Sequence, residues 1–399
     1  MKILQINCVF RSGSTGKLAA SLHDTLRARG EASVVCYGRE AIAPEPDVYK
    51  TSTEWEAKLH ALFSRLFSVD FGYSPLATRR LIGILRRERP DLVHLHCLNG
   101  HFVNVYRLLD FLKEAGIPTV LTLHAEIMHT AGCEHAEACE KWLTGCSRCE
   151  RMEGRLSRFF RDDAAHCFEK MRRAVDGFER LTVVGVSDWL TGRAARSPIF
   201  RNVPCVTIEN GVNTGIFHYT GQEELRRRLD LTGEKILLHV TPNFNHPLKG
   251  GRYVLELAGR MPDCRLIIVG FCGDAAALPA NVIPLPRMKD QGELAAYYAM
   301  ADVTLLTSRR ETFSMVCAES LCCGTPVAGF LAGGPESIAL PEGSGFVPFG
   351  DMEALERKTR LLLQNRPDKA ALSRVACARY ADGIMVEKYL ALYRKVAGK

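Results

Sequence analysis

At 399 residues the chain is too long for one ordinary core, and two domains are expected. Its composition, 47% hydrophobic and 24% charged, is that of a globular protein, and no apolar run approaches the roughly 20 residues of a membrane span. A net charge of +7 with few aromatics and no nucleic-acid motif excludes nucleic acid as a partner. Fifteen cysteines, an odd number, and a strand in place of a signal peptide argue for a reducing cytoplasm and against a disulfide framework.

In chain order, residues 2–8 read as a strand and 16–29 as a helix, joined by the Gly-rich turn Arg11-Ser-Gly13-Ser14-Thr15-Gly16-Lys17. That turn could hold phosphate or sugar close to backbone N–H groups. Its spacing is neither a Walker loop nor the dinucleotide fingerprint, and any tight strand-to-helix turn has the same look. A strand follows at 32–37, then a helical region to 89. Within it Trp55, Leu59, Leu62, Phe63, Leu66 and Phe67 recur at helical spacing, ahead of Arg79, Arg80, Arg86, Arg87 and Arg89. The expectation is a helix with its apolar face on the core. The sharper alternative is an interfacial element on anionic lipid, a peripheral membrane contact.

Strands at 91–96 and 119–124 each end in histidine, with a helix at 103–115 between them. His124, at the cleft end of its strand, could donate to phosphate or to a sugar hydroxyl, although a lone histidine is more often a hydrogen-bonded core residue. His94 and His96, two apart, read as structural. A further strand at 181–187 feeds a helix at 188–196. After a seam near 198–215 a second alternating series runs through strands at 235–240, 265–269, 282–285, 303–306 and 326–330. This alternation predicts an α/β fold of two doubly wound, Rossmann-like halves facing across a cleft, with ligands at the carboxyl ends of the strands. The expected domains are 1–200, with a Cys-rich insert at 129–150, and 201–382, with a last helix in 383–399 crossing back to the first domain.

Two elements of the second half could carry chemistry. Lys249-Gly250 opens a helix, where an ammonium is a good counter-charge for a departing diphosphate, though a surface lysine at a helix start looks the same. Glu311-Thr-Phe-Ser-Met-Val-Cys-Ala-Glu319, closed by Gly324-Thr-Pro326-Val, puts one acid before a helix start and another two turns in. The helix start offers N–H groups to phosphate, and the acids can accept from sugar and ribose hydroxyls.

Together with Asn210-Gly211-Val-Asn213 and Gly333-Gly334-Pro335-Glu336, these pieces resemble glycosyltransferase family 4, with the GT-B fold, over nearly the whole chain. The resemblance implies a retaining enzyme that moves a hexose-type unit from a nucleoside-diphosphate sugar to a lipid-linked or oligosaccharide acceptor. It works without a catalytic metal, because Lys249 and helix starts supply the charge. It gives Glu311 the donor hydroxyls, Glu319 the ribose, Lys249 the diphosphate and His124 the anomeric carbon. Phe313, Ser314 and Met315 lend backbone N–H groups, and Asn210 joins the donor contacts. The family's usual arginine ahead of the lysine is missing from Val240 to Lys249, and Arg309, Arg310 or His246 are its candidate replacements. Ala125 and Glu126 stand where family members often have Asp next to the histidine.

Cys133, Cys139, Cys146 and Cys149 lie in the insert, and the Trp142 to Cys149 stretch resembles a subgroup that builds extracellular or capsular polysaccharide of the colanic-acid type. Four thiolates can complete a structural zinc site, the reading adopted, with His129 and His135 in reserve. Two disulfides or unligated thiols are the rivals. Two other functions fit the same motifs: a GT-B nucleotide-sugar epimerase or sugar-phosphate-forming synthase, and a non-catalytic sugar- or partner-binding protein.

Overall fold

Among the described residues thirteen short, mostly apolar strands are each followed by a turn and, in most cases, a helix. This pattern leaves parallel pairing as the route to burial on both faces. The protein is described here as a computed structural model over residues 1–67, 70–150, 162–221, 223–231 and 233–398. Residues Met1–Ile208 with Val386–Lys399 form one unit, and Glu209–Met385 form the other.

The first unit holds β1 (Lys2–Asn7), β2 (Ala32–Tyr37), β3 (Val48–Lys50), β4 (Leu92–Leu95), β5 (Thr119–Leu123), β6 (Leu181–Gly185) and β7 (Cys205–Thr207). They make one parallel sheet in the order β3-β2-β1-β4-β5-β6-β7. The second holds β8 (Lys235–Val240), β9 (Cys264–Val269), β10 (Val282–Leu285), β11 (Val303–Leu306), β12 (Val327–Phe330) and β13 (Ser344–Val347). These are also all parallel, in the order β10-β9-β8-β11-β12-β13. Both units are therefore doubly wound, as the alternation predicted. Strand order reverses between β1 and β4 and between β8 and β11, and such reversals open a crevice at the carboxyl ends. In the second unit Leu237, Leu266, Leu305 and Phe330 bury one face of the sheet against Val254, Leu257 and Leu355.

The last helix, Asp382–Ala397, is tied to the first sheet by polar contacts. Tyr393 Oη lies 2.6 Å from His94 Nδ1, and Tyr389 Oη lies 2.9 Å from Thr122 Oγ1.

Two expectations need correction. The first helix is Gly13–Ala28, so Gly13 to Gly16 are its first turn and not a loop ahead of it. The helix Glu54–Phe67 does not put its apolar face on the core. It buries Ala57, His60 and Ser64 and turns Trp55, Leu59, Leu62, Phe63, Leu66 and Phe67 outward. The cause is His60, whose Nδ1 meets Ser74 Oγ at 2.8 Å while its ring packs on Tyr73 and His101. Among the described residues no helix is long and apolar enough to cross a membrane.

Candidate active site

In the second unit the loops after β8 and β11 meet at the strand-order reversal. Thr307 Oγ1 donates to Lys249 O at 3.1 Å, and Arg309 N donates to Leu248 O at 2.8 Å. Gly250 makes this approach possible. Its φ is +70°, and a Cβ there would stand 2.1 Å from Thr307 O. The stitched loops bring Lys249 Nζ to 2.6 Å from Glu311 Oε1. The side chains are 30% and 18% exposed, so the pair is held by protein yet open to a ligand.

Glu311 is fixed by its backbone, which donates to Ala332 O at 3.1 Å and accepts from Gly334 N at 2.9 Å. A Cβ on Gly334 would fall 2.3 Å from the Thr312 carbonyl carbon, so this crossing requires glycine. Glu336 closes the loop by accepting from Gly333 N at 2.7 Å and Ala332 N at 3.0 Å. After Glu311 the chain turns through Ser314, at φ 81°, into the helix Met315–Cys322. Phe313 is buried, and Ser314 Oγ accepts from Cys317 N at 3.3 Å. Glu319 lies within that helix beside the buried Tyr298. The Tyr298 phenol is pushed well above its ordinary range, first by burial and then by the Glu319 charge. Asn210 is buried on a segment paired with 380–382, where Val212 N donates to Tyr380 O at 2.7 Å.

Of the three candidates for the missing cation, His246 is committed to its own turn, its Nδ1 accepting from Leu248 N at 3.3 Å. Arg309 lies over the Phe349 ring, 5.9 Å from its centre. Arg310 reaches Ala332 O at 3.5 Å, in the loop that pairs with Glu311.

In the first unit His124 follows β5 directly. Its Nε2 is 3.3 Å from His96 Nδ1, and His96 Nε2 is 3.1 Å from Gln5 Oε1. An amide oxygen only accepts, so His96 carries its proton on Nε2, and its Nδ1 accepts from His124 Nε2–H. That tautomer makes Nδ1 the acceptor of His124. Burial drives His124 down to about 4 and His96 well below its ordinary value, so both rings are neutral near neutrality. At the first helix, Arg11 grips Asp24 (2.8 and 2.9 Å) and Glu45 (2.7 and 2.8 Å), framing the turn from Gly13 to Gly16. Ser14 is exposed there, and Thr15 is half-buried.

The four insert cysteines are not gathered as a zinc site would require. Among the described residues no three His, Cys, Asp or Glu side chains could hold one ion. The insert is instead organised on Trp142, which is 1% exposed. Its Nε1 donates to Cys139 O at 2.9 Å, its ring meets His129, and Arg193 lies 4.6 Å above it. Arg193 also holds the buried Glu126 at 2.6 Å. Burial opposes the Glu126 charge, yet its carboxyl sits at about 2. His129, 3.5 Å away, is the first of the groups that hold it down, ahead of Arg193 and the Ala136 N–H.

A family model described as Glycosyltransferase Family 4 matches residues 15–216, more than half of the chain. The chain belongs to glycosyltransferase family 4. A second model, Glycosyl transferases group 1, matches residues 221–379 of the same family 4 protein. The chain is 21% identical to WcaC of Escherichia coli strain K12, a glycosyl transferase named for colanic acid biosynthesis, over 99% of this chain and 100% of that one. In fold it is similar to sucrose-phosphate synthase from Thermosynechococcus elongatus, with a TM-score of 0.73, 18% identity and coverage of 99% and 98%. It is likewise similar to HepE from Anabaena, solved with UDP, with a TM-score of 0.67, 15% identity and coverage of 99% and 100%. The two parallel sheets are those of the GT-B fold.

Three parts of this family 4 site escaped the sequence reading. Glu336 was noted only as the end of a motif, although its capping geometry is legible as an acid three residues after a glycine start. His96 was read as structural and Gln5 gave no signal, because their link to His124 runs across neighbouring strands. The Trp142–Arg193 stack joins residues far apart in sequence.

Proposed function

We propose that this family 4 glycosyltransferase is a retaining hexosyltransferase that draws on a nucleoside-diphosphate sugar and extends a lipid-linked saccharide in cell-surface polysaccharide assembly. The observation that carries the reading is the Lys249–Glu311 pair at the strand-order reversal, beside the start of the helix Met315–Cys322. A cation and helix N–H groups at one edge suit the diphosphate of such a donor, and the two carboxylates suit the hydroxyls of its sugar and its ribose. Lys249 would take the diphosphate, with Arg310 the best-situated second cation. Glu311 would accept from the sugar hydroxyls and Glu319 from the ribose. Phe313, Ser314 and Met315 would lend N–H groups, and Asn210 would line the donor side. Similarity to HepE, solved with UDP, supports a nucleotide-sugar donor, and similarity to WcaC supports polysaccharide assembly.

In the first unit the neutral His124 would accept from a sugar hydroxyl near the anomeric carbon, and Gly13, Ser14, Thr15 and Gly16 would meet the acceptor. The new glycosidic bond forms on the face the diphosphate leaves. The barrier falls through positioning and through stabilisation of charge on the leaving group. The acceptor's lipid puts the reaction at the inner face of the cell membrane.

The test begins with a thermal-shift screen of UDP- and GDP-linked hexoses, since a bound donor raises the midpoint by mass action. The stabilising donor is then incubated with the purified protein, and the anomeric configuration of the product is read by NMR. Slow donor hydrolysis with retained configuration is the expected result. Inverted product, or no donor that stabilises the protein, would overturn the proposal.

A further inference from the structure

The helix Glu54–Phe67 is inside out. Its packed stripe, Ala57, His60 and Ser64, is small or polar, while Trp55, Leu59, Leu62 and Leu66 form a line at i, i+4, i+7 and i+11 on the opposite side. Those four are 76%, 48%, 48% and 55% exposed, and Phe63 and Phe67 beside them are 40% and 58% exposed. Leu76, in the first turn of the next helix, Pro75–Glu88, is 55% exposed. Phe63 lies 6.2 Å from Phe67 and 5.7 Å from Tyr73. Seven large apolar side chains on neighbouring helices are far more than scattered surface residues, and such a patch marks a surface with an occupant.

Charge identifies the occupant. Lys58 and Arg65, seven residues apart, run along one flank of the apolar line and are both exposed, Lys58 Nζ standing 5.3 Å over the Trp55 ring. The helix's own acids are neutralised. Glu54 is met by Arg39 at 2.8 Å and Lys50 at 3.6 Å, and Glu56 by Arg80 at 2.8 Å. Arg79 adds an exposed cation on the second helix. We propose that this face rests on an anionic bilayer. The line from Trp55 to Phe67 enters the acyl boundary, Trp55 sits at headgroup level, and Lys58, Arg65 and Arg79 meet lipid phosphates. Two copies of the chain would instead bring together two cationic faces, and the acids on each helix are already paired. The inference rests on this surface alone, not on the transfer chemistry.

The experiment is flotation of the full chain with vesicles of phosphatidylcholine, alone or mixed with phosphatidylglycerol. The protein should float with the mixed vesicles and not with the neutral ones, and salt should weaken the binding. Fluorescence should shift to the blue on binding, a shift that Trp55→Phe removes, since Trp142 is already buried and the half-buried Trp189, on another helix, lies under Arg193. The exposed double substitution Leu62→Ser with Leu66→Ser should lower vesicle affinity roughly tenfold or more with an unchanged circular dichroism spectrum. Lys58→Glu with Arg65→Glu should abolish the preference for anionic lipid. Absence of flotation with either vesicle overturns the proposal, as does equal flotation with both. So does a dimer in light scattering that the Leu62→Ser/Leu66→Ser protein loses without any vesicle binding. The vesicles contain no donor sugar, so failure here leaves the proposed reaction untouched.

Discussion

The Lys249 ammonium and the Glu311 carboxylate each have the other as a near neighbour at 2.6 Å, so neither can be removed without consequence for its partner. Glu311→Ala and Lys249→Ala should each lower kcat/KM by roughly 100-fold or more. The double variant should be little worse than either single, because the groups act as a unit. Steady-state kinetics on all four proteins gives the coupling, and additive losses would separate the two roles. Gln5 makes a subtler case. It is fully buried and reaches the site only through His96. Gln5→Leu removes the acceptor that fixes the His96 tautomer and should lower kcat roughly tenfold or more with donor KM unchanged, whereas a joint rise in KM would mark a merely structural role. His124 was legible as a strand-end histidine. Its link through His96 to Gln5 was not, since only the order β1-β4-β5 brings Gln5, His96 and His124 together.

At the scale of elements, the loop after β8 turns on one glycine. Gly250→Ala puts a methyl against Thr307 O in a left-handed backbone and should cost roughly 1–3 kcal/mol. It should also weaken donor binding by moving Lys249. Gly259→Ala, eight residues into the helix Gly251–Arg260 with open space around it, should instead stabilise by about 0.5–1 kcal/mol. Urea midpoints of the two variants moving in opposite directions is the expected outcome. The sequence carried the glycine but not its reason, which lies in the loop after β11, far along the chain. The helix Glu54–Phe67 taught a related lesson. Periodicity revealed its apolar stripe, but what decided the packed side was Ser74, Tyr73 and His101 around His60. In the insert, cysteine spacing suggested metal while the organising residue was Trp142. Trp142→Ala should cost about 3–5 kcal/mol, seen as a lower unfolding midpoint of the first unit.

Across the whole molecule, buried histidines are unevenly shared. Burial lowers the proton affinity of His23, His60, His94, His96, His101, His124 and His129 in the first unit, against His239 in the second. Each binds a proton more readily when unfolded, near the ordinary 6.5, than when folded. Stability from this source is full above 6.5 and falls as the pH drops below it, toward about 4 for His101, His124 and His239. Urea unfolding between pH 6.5 and 5, above the carboxylate range, should show the first unit weakening faster than the second. Equal slopes would contradict this assignment. The alternation of strands and helices made both doubly wound sheets legible, because the central strands are buried on both faces and helical crossovers join parallel strands. A last helix crossing back to the first domain was an expectation from sequence, but its side-chain tie to His94 was not legible, since it joins residues 299 apart. That tie has a consequence for biosynthesis. The first sheet leaves the ribosome with His94 and Thr122 lacking the Tyr393 and Tyr389 hydroxyls that meet them in the finished fold. Those tyrosines are translated only after the entire second unit, so the portion of the polypeptide made earliest is completed last. A stop codon at Tyr389 would spare every residue of the second unit and still leave the nascent first unit unfinished, a target for chaperones and proteases.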